Sequence, residues 1–267
     1  MNKRDFLKDA ILFFPAAGVL QALAGQAAAT AAAAAPAPAA GSAPVPGPAP
    51  DAGYDANRHW YGMGIDVEKC IGCNRCVEAC KAENNVPEEP FFFRTWIERY
   101  EVHANGETTA QCISTRSRTP EQAEPEDPTV VRTFFVPKLC NQCAHPPCVQ
   151  VCPVGATFQT PDGVVLVDEK RCIGCRYCIQ ACPYGARYLN PRTKTADKCT
   201  FCYHRITEGL LPACVEVCPT QARIFGDLKG KADRLVRFHR VNEISVLKAD
   251  LNTEPKVLYA KLDGEVR

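Results

Sequence analysis

Residues 172–183 read CIGCRYCIQACP. Their four cysteines follow the spacing C-x2-C-x2-C-x3-C, and a proline comes directly after the fourth. Three thiolates two residues apart can surround one corner of a cube of iron and sulfide, whereas the fourth, one helical turn further on, binds the other cluster of a pair. The segment therefore predicts 4Fe-4S clusters that share their ligands between two cysteine quartets.

Four quartets of this kind account for sixteen of the 17 cysteines and leave only Cys112, for which we predict the role of a small buried hydrophobic residue within a strand. The middle gap is two residues in quartets one and three, four in quartet two and eleven in quartet four. Proline follows every quartet except the first, where Lys81 takes its place. In chain order the quartets are Cys70, Cys73, Cys76, Cys80; Cys140, Cys143, Cys148, Cys152; Cys172, Cys175, Cys178, Cys182; and Cys199, Cys202, Cys214, Cys218.

The segments around the quartets repeat in two types. Residues 65–73, IDVEKCIGC, are nearly repeated at 167–175, VDEKRCIGC, and residues 146–153, PPCVQVCP, parallel 212–219, PACVEVCP. Quartets one and three are thus of one type, and quartets two and four of another. A duplicated two-cluster ferredoxin explains this pattern, with one quartet of each type in each half.

Disulfides and zinc are the competing interpretations of so many cysteines. Cysteines two residues apart rarely pair with each other outside redox-active motifs, so six C-x2-C steps make a poor disulfide framework. Zinc ribbons use two such pairs for each ion and have no need of a third cysteine and a Cys-Pro ending. The spacing therefore favours 4Fe-4S clusters over both.

Composition and charge exclude other classes of protein. The 31 basic and 30 acidic side chains give a net charge of +1, so no excess of positive charge indicates nucleic acid as a partner. The only long apolar stretch lies at the N-terminus, which excludes a polytopic membrane protein. Gly62-Met63-Gly64 lacks the third glycine of a dinucleotide-binding fingerprint.

The N-terminal residues have the composition of a targeting segment. Residues 2–8, NKRDFLK, precede an apolar run over residues 10–20 and resemble a twin-arginine export signal, with Lys3 in place of the first arginine. We expect a cleaved signal at residues 1–29 and an Ala/Pro-rich linker at 30–57, with an uncleaved amphipathic helix as the alternative. The expected location is the periplasm, after export in the folded state.

The rest of the chain predicts an α+β fold with many loops. We expect a strand at 91–103, a turn at Asn105-Gly106, a partner strand at 107–117, an acidic loop at 119–128 and another strand at 132–136. Short hairpins are expected at 156–168 and 186–198, and short helices around residues 77–79, 149–151, 179–181 and 215–217. Clusters would replace much of the ordinary core.

The quartet order and spacing, the three Cys-Pro endings, the repeated Ile-Gly-Cys and the tail TEPKVLY at 253–259 resemble a known family. They are similar to the four-cluster iron-sulfur subunits of the molybdopterin oxidoreductase superfamily, which includes dimethyl sulfoxide, polysulfide and tetrathionate reductases. The resemblance covers residues 60–262. It implies four 4Fe-4S clusters, because every ligand position holds cysteine.

The resemblance also implies which cysteines act together. Site 1 would be Cys70, Cys73 and Cys76 with Cys218; site 2 would be Cys140, Cys143 and Cys148 with Cys182; site 3 would be Cys172, Cys175 and Cys178 with Cys152; and site 4 would be Cys199, Cys202 and Cys214 with Cys80. The corresponding organisation is an outer ferredoxin-like half at 58–90 and 184–267, an inserted hairpin and loop at 91–137, and an inner half at 138–183.

The implied function is electron transfer without substrate chemistry. Single electrons would pass between a polysulfide-reductase-type integral membrane subunit that reacts with quinone and a molybdopterin catalytic subunit, and the chain would be membrane-associated through its partner. The electron-transfer subunit of a membrane-bound nickel-iron hydrogenase is one alternative, and a zinc-stapled structural adaptor is another. Four basic residues near the ligands could raise cluster potentials or could be solvated surface residues: Arg75, Arg171, Arg176 and Lys198.

Overall fold

The computed structural model describes residues 53–89, 91–115 and 127–266. The signal expected at 1–29, nearly all of the linker expected at 30–57 and most of the acidic loop expected at 119–128 lie outside these residues. The described part consists of short strands and helices joined by many loops, as expected for an α+β chain. Its strands are β1 (Tyr61–Asp66), β2 (Thr95–His103), β3 (Thr108–Cys112), β4 (Val130–Leu139), β5 (Thr157–Gln159), β6 (Val165–Val167), β7 (Arg187–Leu189), β8 (Ala196–Lys198), β9 (Arg223–Asp227), β10 (Ile244–Ser245) and β11 (Val257–Ala260).

The α-helices are mostly single turns beside the cysteines. They are α1 (Arg75–Glu83), α2 (Pro147–Gln150), α3 (Tyr177–Gln180), α4 (Tyr203–Ile206), α5 (Ala213–Glu216) and α6 (Arg234–Val241). Helices α2, α3 and α5 end just before a Cys-Pro pair, because proline cannot continue a helix. Helix α1 instead continues through Lys81 to Glu83, and the Lys81 ammonium donates to the carbonyl oxygens of Pro87 and Glu88 at 3.2 and 3.3 Å.

The main sheet has the strand order β10-β11-β1-β9. Its strand β1 is parallel to β11 and antiparallel to β9, and all six of its residues are buried. Helix α6 covers one face so closely that a side chain at Gly64 would collide with the ring of Phe238, 2.7 Å away. The sheet thus joins the start of the described chain to its C-terminal segment.

A second sheet, with the order β3-β2-β4, is antiparallel throughout. Strand β2 begins at Thr95 and not at residue 91, and Phe91 is 80% exposed. Strand β4 is longer than expected and runs to Leu139, so it leads directly into Cys140. Cys112 is the last residue of β3 and is half-buried, which differs from the buried mid-strand position expected for it.

Two two-stranded ribbons, β5-β6 and β7-β8, follow the second and third quartets. Each connects the last cysteine of one quartet to the first cysteine of the next. We call this last cysteine the crossing cysteine, because it is expected to bind the other cluster of its pair. Both lie where hairpins are expected from the turn residues at 161–163 and 190–191. Within the described part of the chain, no helix combines the length and the apolar character that crossing a bilayer requires.

Candidate iron-sulfur sites

The four cysteine loops share one backbone feature. The residue two positions after the first cysteine has a positive φ angle in every loop, which bends the chain back around the thiols. In the Cys199 loop this turn lets the N–H of Phe201 donate to the Cys199 Sγ at 3.4 Å. The four residues are Gly72 (φ +70°), Gln142 (+46°), Gly174 (+69°) and Phe201 (+54°).

The structure brings the cysteines of site 1 around one cavity. Cys70, Cys73 and Cys76 meet Cys218, which follows α5 almost 150 residues later in the chain. The empty space between the cavity's lining residues, including the part open to solvent, measures about 320 Å³. The other lining residues are mostly apolar, with Ile97 and Pro137 among them. These four thiols thus surround a space without a carboxylate.

Site 2 has the same construction. Cys140, Cys143 and Cys148 line a cavity with Cys182, and this cavity also measures about 320 Å³. Val165 and Tyr184 close its sides. Two cavities of equal volume, each with four cysteines, are suited to the same kind of occupant.

At site 4 the structure places Cys80 beside the remaining cysteines of the fourth quartet. Burial raises the pKa of the Cys80 thiol well above its usual range, and the nearby Cys199, Cys214 and Cys202 add to the effect. The side-chain amide of Asn84 lies 3.6 Å from the Cys80 Sγ and 3.5 Å from the Cys202 Sγ. All four thiols of this site are buried.

Site 3, like site 1, has one exposed cysteine, two half-buried ones and one buried one. Cys175 is exposed, and Cys172 and Cys152 are half-buried, whereas Cys178 packs with Cys148 in a small buried cluster. The backbone N–H of Ala196 donates to the Cys172 Sγ at 3.4 Å. Cys152 follows α2, which packs against α3, so its grouping with this site depends on that helix contact and on the sequence symmetry.

Neighbouring sites follow each other in the order 1, 4, 2, 3. Burial raises the pKa of Cys214 in site 4 to about 11, and Cys76 of site 1 is among the thiols that contribute. Burial and Cys214 raise the pKa of Cys199, and Cys140 of site 2 adds to this shift. Sites 2 and 3 meet through the packing of Cys148 and Cys178.

The chemistry of these thiols fits a positively charged inorganic group. Burial raises the pKa of Cys70 and of Cys143 to about 11, so such thiols become thiolates at neutral pH only when a cation compensates their charge. Among the described residues, no group of three or more His, Cys, Asp or Glu side chains could hold one metal ion. A 4Fe-4S cluster differs from one ion in spreading its four irons over a cube.

The four basic residues named from the sequence divide between the two expected alternatives. Arg75, Arg171 and Arg176 are exposed, whereas Lys198 is fully buried and its ammonium donates to the carbonyl oxygens of Val165 and Cys199. Two buried arginines beside the cavities were not singled out from the sequence. Arg187 lines the cavity of site 2, and Arg223 lines that of site 1.

Comparisons with known proteins identify 4Fe-4S domains in this chain. Two models described as a 4Fe-4S dicluster domain match residues 69–156 and 131–228. A tetrathionate reductase subunit of Salmonella typhimurium is 44% identical over 209 residues, which cover 77% of this chain and 74% of that protein. The protein of the same name from Archaeoglobus fulgidus is 48% identical over 204 residues, 76% of this chain and 83% of that protein.

The chain belongs to the family of iron-sulfur electron-transfer subunits of the molybdopterin oxidoreductases. Thiosulfate reductase electron transfer subunit PhsB of Salmonella typhi is a further relative, 44% identical over 169 residues that cover 63% of this chain and 76% of that protein. Two dicluster domains account for four 4Fe-4S clusters in this iron-sulfur subunit, as the sequence predicts. The relatives give no support to the hydrogenase alternative.

Proposed function

We propose that this iron-sulfur subunit relays single electrons between a quinone-reactive integral membrane subunit of the polysulfide-reductase type and a molybdopterin catalytic subunit. The observation that carries the proposal is the continuous series of four cysteine sites, buried in the middle and open at both ends. Sites 4 and 2 lie in the centre, where all but one of the cysteines are buried. Sites 1 and 3 lie at the ends, where Cys73 and Cys175 are exposed.

The proposed ligands are the four sets named from the resemblance. Site 1 takes Cys70, Cys73, Cys76 and Cys218, and site 2 takes Cys140, Cys143, Cys148 and Cys182, in agreement with the two cavities. Site 4 takes Cys199, Cys202, Cys214 and Cys80, and site 3 takes Cys172, Cys175, Cys178 and Cys152. In each pair, 1 with 4 and 2 with 3, every quartet lends its last cysteine to the other site.

A bound 4Fe-4S cluster accepts and releases one electron at a time. The chain's own residues hold the thiols in place, donate N–H groups to their sulfur atoms and exclude water from the two central sites. The N–H of Thr157, for example, donates to the Cys152 Sγ at 3.4 Å. We infer that the subunit performs no substrate chemistry, which is consistent with the names of its relatives, since these describe subunits of reductases and, for PhsB, an electron transfer subunit.

We also propose a periplasmic location, after export of the folded, cluster-loaded chain by the twin-arginine-type signal at residues 1–29. Export in the folded state suits a protein whose clusters are inserted before it leaves the cytoplasm. Attachment to the membrane would then come from the quinone-reactive partner.

Purification of the native complex from membranes without oxygen tests the function. We expect molybdenum in the complex, about sixteen irons and sixteen sulfides for each copy of this chain, and reduction of the clusters by an added quinol. Nickel without molybdenum would replace the proposal with the hydrogenase alternative. Zinc without sulfide would overturn the cluster assignment itself.

A further inference from the structure

Two segments that follow crossing cysteines have the same sequence pattern, C-P-x-x-A-R. They are residues 182–187, CPYGAR, and residues 218–223, CPTQAR. In the structure each arginine is the first residue of a strand, Arg187 in β7 and Arg223 in β9. The corresponding position after Cys152 holds Thr157, the first residue of β5. One arginine of this kind therefore belongs to each pair of sites.

Arg223 lies between sites 1 and 4. It is 3% exposed, lines the cavity of site 1 and is close enough to Cys214 of site 4 for its charge to act against the burial that raises the pKa of that thiol. Its Nη2 donates to the Thr95 hydroxyl at 2.8 Å. Its Nη1 is buried and has no hydrogen-bond partner among the described residues.

Arg187 lies between sites 2 and 3 in the same way. It is 5% exposed and lines the cavity of site 2. Its Nη2 donates to the Cys148 Sγ at 3.0 Å, and its Nη1 donates to the Thr157 hydroxyl at 3.3 Å. Cys178 of site 3 is close enough to Arg187 to contribute to raising its pKa.

No described carboxylate forms an ion pair with either arginine. Arg94, which is also largely buried, shows the usual arrangement, with its Nη2 2.9 Å from an oxygen of Asp197. A buried guanidinium without an anion is strongly destabilising, so the anions that compensate Arg187 and Arg223 are the cysteine thiolates and the group they hold. Burial lowers the pKa of Arg223, but the neighbouring Cys76 and Cys214 outweigh it and keep the pKa above its ordinary value.

A fixed positive charge beside a cluster favours its reduced form, because reduction adds one negative charge. Inside a protein this interaction is much stronger than in water. We propose that Arg223 raises the reduction potentials of the clusters at sites 1 and 4, and that Arg187 raises those at sites 2 and 3. This inference rests on the proposed ligand sets.

The test compares neutral and charged variants of the full chain, loaded with clusters. In redox titrations followed by electron paramagnetic resonance, Arg223→Gln should lower two of the four midpoint potentials, and Arg187→Gln should lower the other two. We expect at least a tenfold change in each reduction equilibrium, which is about 59 mV for a one-electron couple. Arg223→Lys and Arg187→Lys, which keep the charge, should recover most of the shift.

Arg75→Gln is the matched control, because it removes the same charge one residue from Cys76 but at an exposed position. It should shift every potential much less than Arg223→Gln. Iron and sulfide are measured first: a parent chain without four clusters would refute the proposed function, whereas variants with four clusters and unchanged potentials would refute this inference alone. If Arg223→Gln loses iron, Arg223→Met is measured instead. If both neutral variants lose iron and Arg223→Lys keeps it, the inference is overturned, because the charge of Arg223 would then be needed for cluster assembly.

Discussion

The centre of the cysteine series and its two ends use different residues at the same turn. At the ends, sites 1 and 3, the residue with positive φ is Gly72 or Gly174. Beside them, Ile71 is 58% exposed and Ile173 is 66% exposed. Each end loop therefore exposes an apolar side chain directly beside its first cysteine.

In the centre, the same turn position holds Phe201 at site 4 and Gln142 at site 2, and both side chains are fully buried. The Gln142 amide donates to the carbonyl oxygen of Cys199 at 2.7 Å, and its oxygen accepts the N–H of Val165 at 2.7 Å. A left-handed conformation costs a residue other than glycine about 1–2 kcal/mol, which this burial and hydrogen bonding offset. The central turns thus belong to the core that joins sites 4 and 2, whereas the end turns leave the outer sites open to partners.

The largest expected difference in iron content and in resistance to proteolysis is between two single variants, one without a ligand at the centre and one without a ligand at an end. We expect Cys175→Ala to lose only the cluster of site 3 and to keep about twelve irons per chain. Cys199→Ala should lose much more, because Cys199 lies in the buried centre, next to the fully buried Lys198. Without the cluster of site 4, the buried Lys198 and Arg223 would lose part of their compensating charge. Iron and sulfide analysis and resistance to proteolysis measure the difference.

Cys112→Ala is the control for these variants, since Cys112 lies outside the quartets and its substitution should leave about sixteen irons. Equal iron content and equal proteolysis of Cys175→Ala and Cys199→Ala would show that centre and ends do not differ in this way.

A smaller effect, on thermal stability, is expected when the residue at a central turn is replaced by the glycine that the end turns contain. Gln142→Gly relieves the backbone strain but leaves the buried N–H of Val165 without its partner, at about 1–3 kcal/mol. It also removes one of the two donors to the carbonyl oxygen of Cys199, which keeps its bond from Lys198. We expect a net loss of about 1 kcal/mol, which should lower the midpoint of anaerobic thermal unfolding by about 2–4 °C for a chain of this size. The unfolding transition is monitored by the loss of cluster absorbance on heating.

Lys194→Gly is the matched control for that change. Lys194 also has a positive φ of +59°, but its side chain is exposed, so the substitution relieves the same strain without removing a buried bond. Its midpoint should stay close to that of the parent chain. A midpoint for Gln142→Gly as high as that of Lys194→Gly would mean that the Gln142 bonds contribute nothing.

Local features of this chain were predictable from sequence because their causes are local. The loop turns, the one-turn helices before Cys-Pro and the ribbons at β5-β6 and β7-β8 depend on residues within a few positions of each other. The length of α1 was missed, although Lys81 in place of proline is the residue that lets the helix continue. The start of β2 was also misjudged, because the aromatic residues 91–93 are typical of strands but precede this one.

Long-range pairing was not predictable in the same way. Strand β11 lies parallel to β1 although almost 200 residues separate them, and the polar composition of the C-terminal segment gives no sign of α6 or of this pairing. The buried cations show an intermediate case. Arg187 and Arg223 carry a signal in the repeated C-P-x-x-A-R pattern, but only the structure shows that they are buried, whereas Arg75, Arg171 and Arg176 beside the ligands are exposed.

The smallest effect on the chain itself is expected from charges placed at its two ends. Ile71→Glu and Ile173→Glu change exposed side chains, so each should alter unfolding by less than about 0.5 kcal/mol and keep all four clusters. A carboxylate should nevertheless weaken an apolar contact with a partner, so each variant should co-purify with less of a different partner subunit of the native complex. Leu210→Glu, at a residue that is 50% exposed and outside the end loops, is the control and should retain both partners. Full retention of both partners by Ile71→Glu and Ile173→Glu would show that electrons enter and leave elsewhere, since partners that bind at the ends must contact these residues.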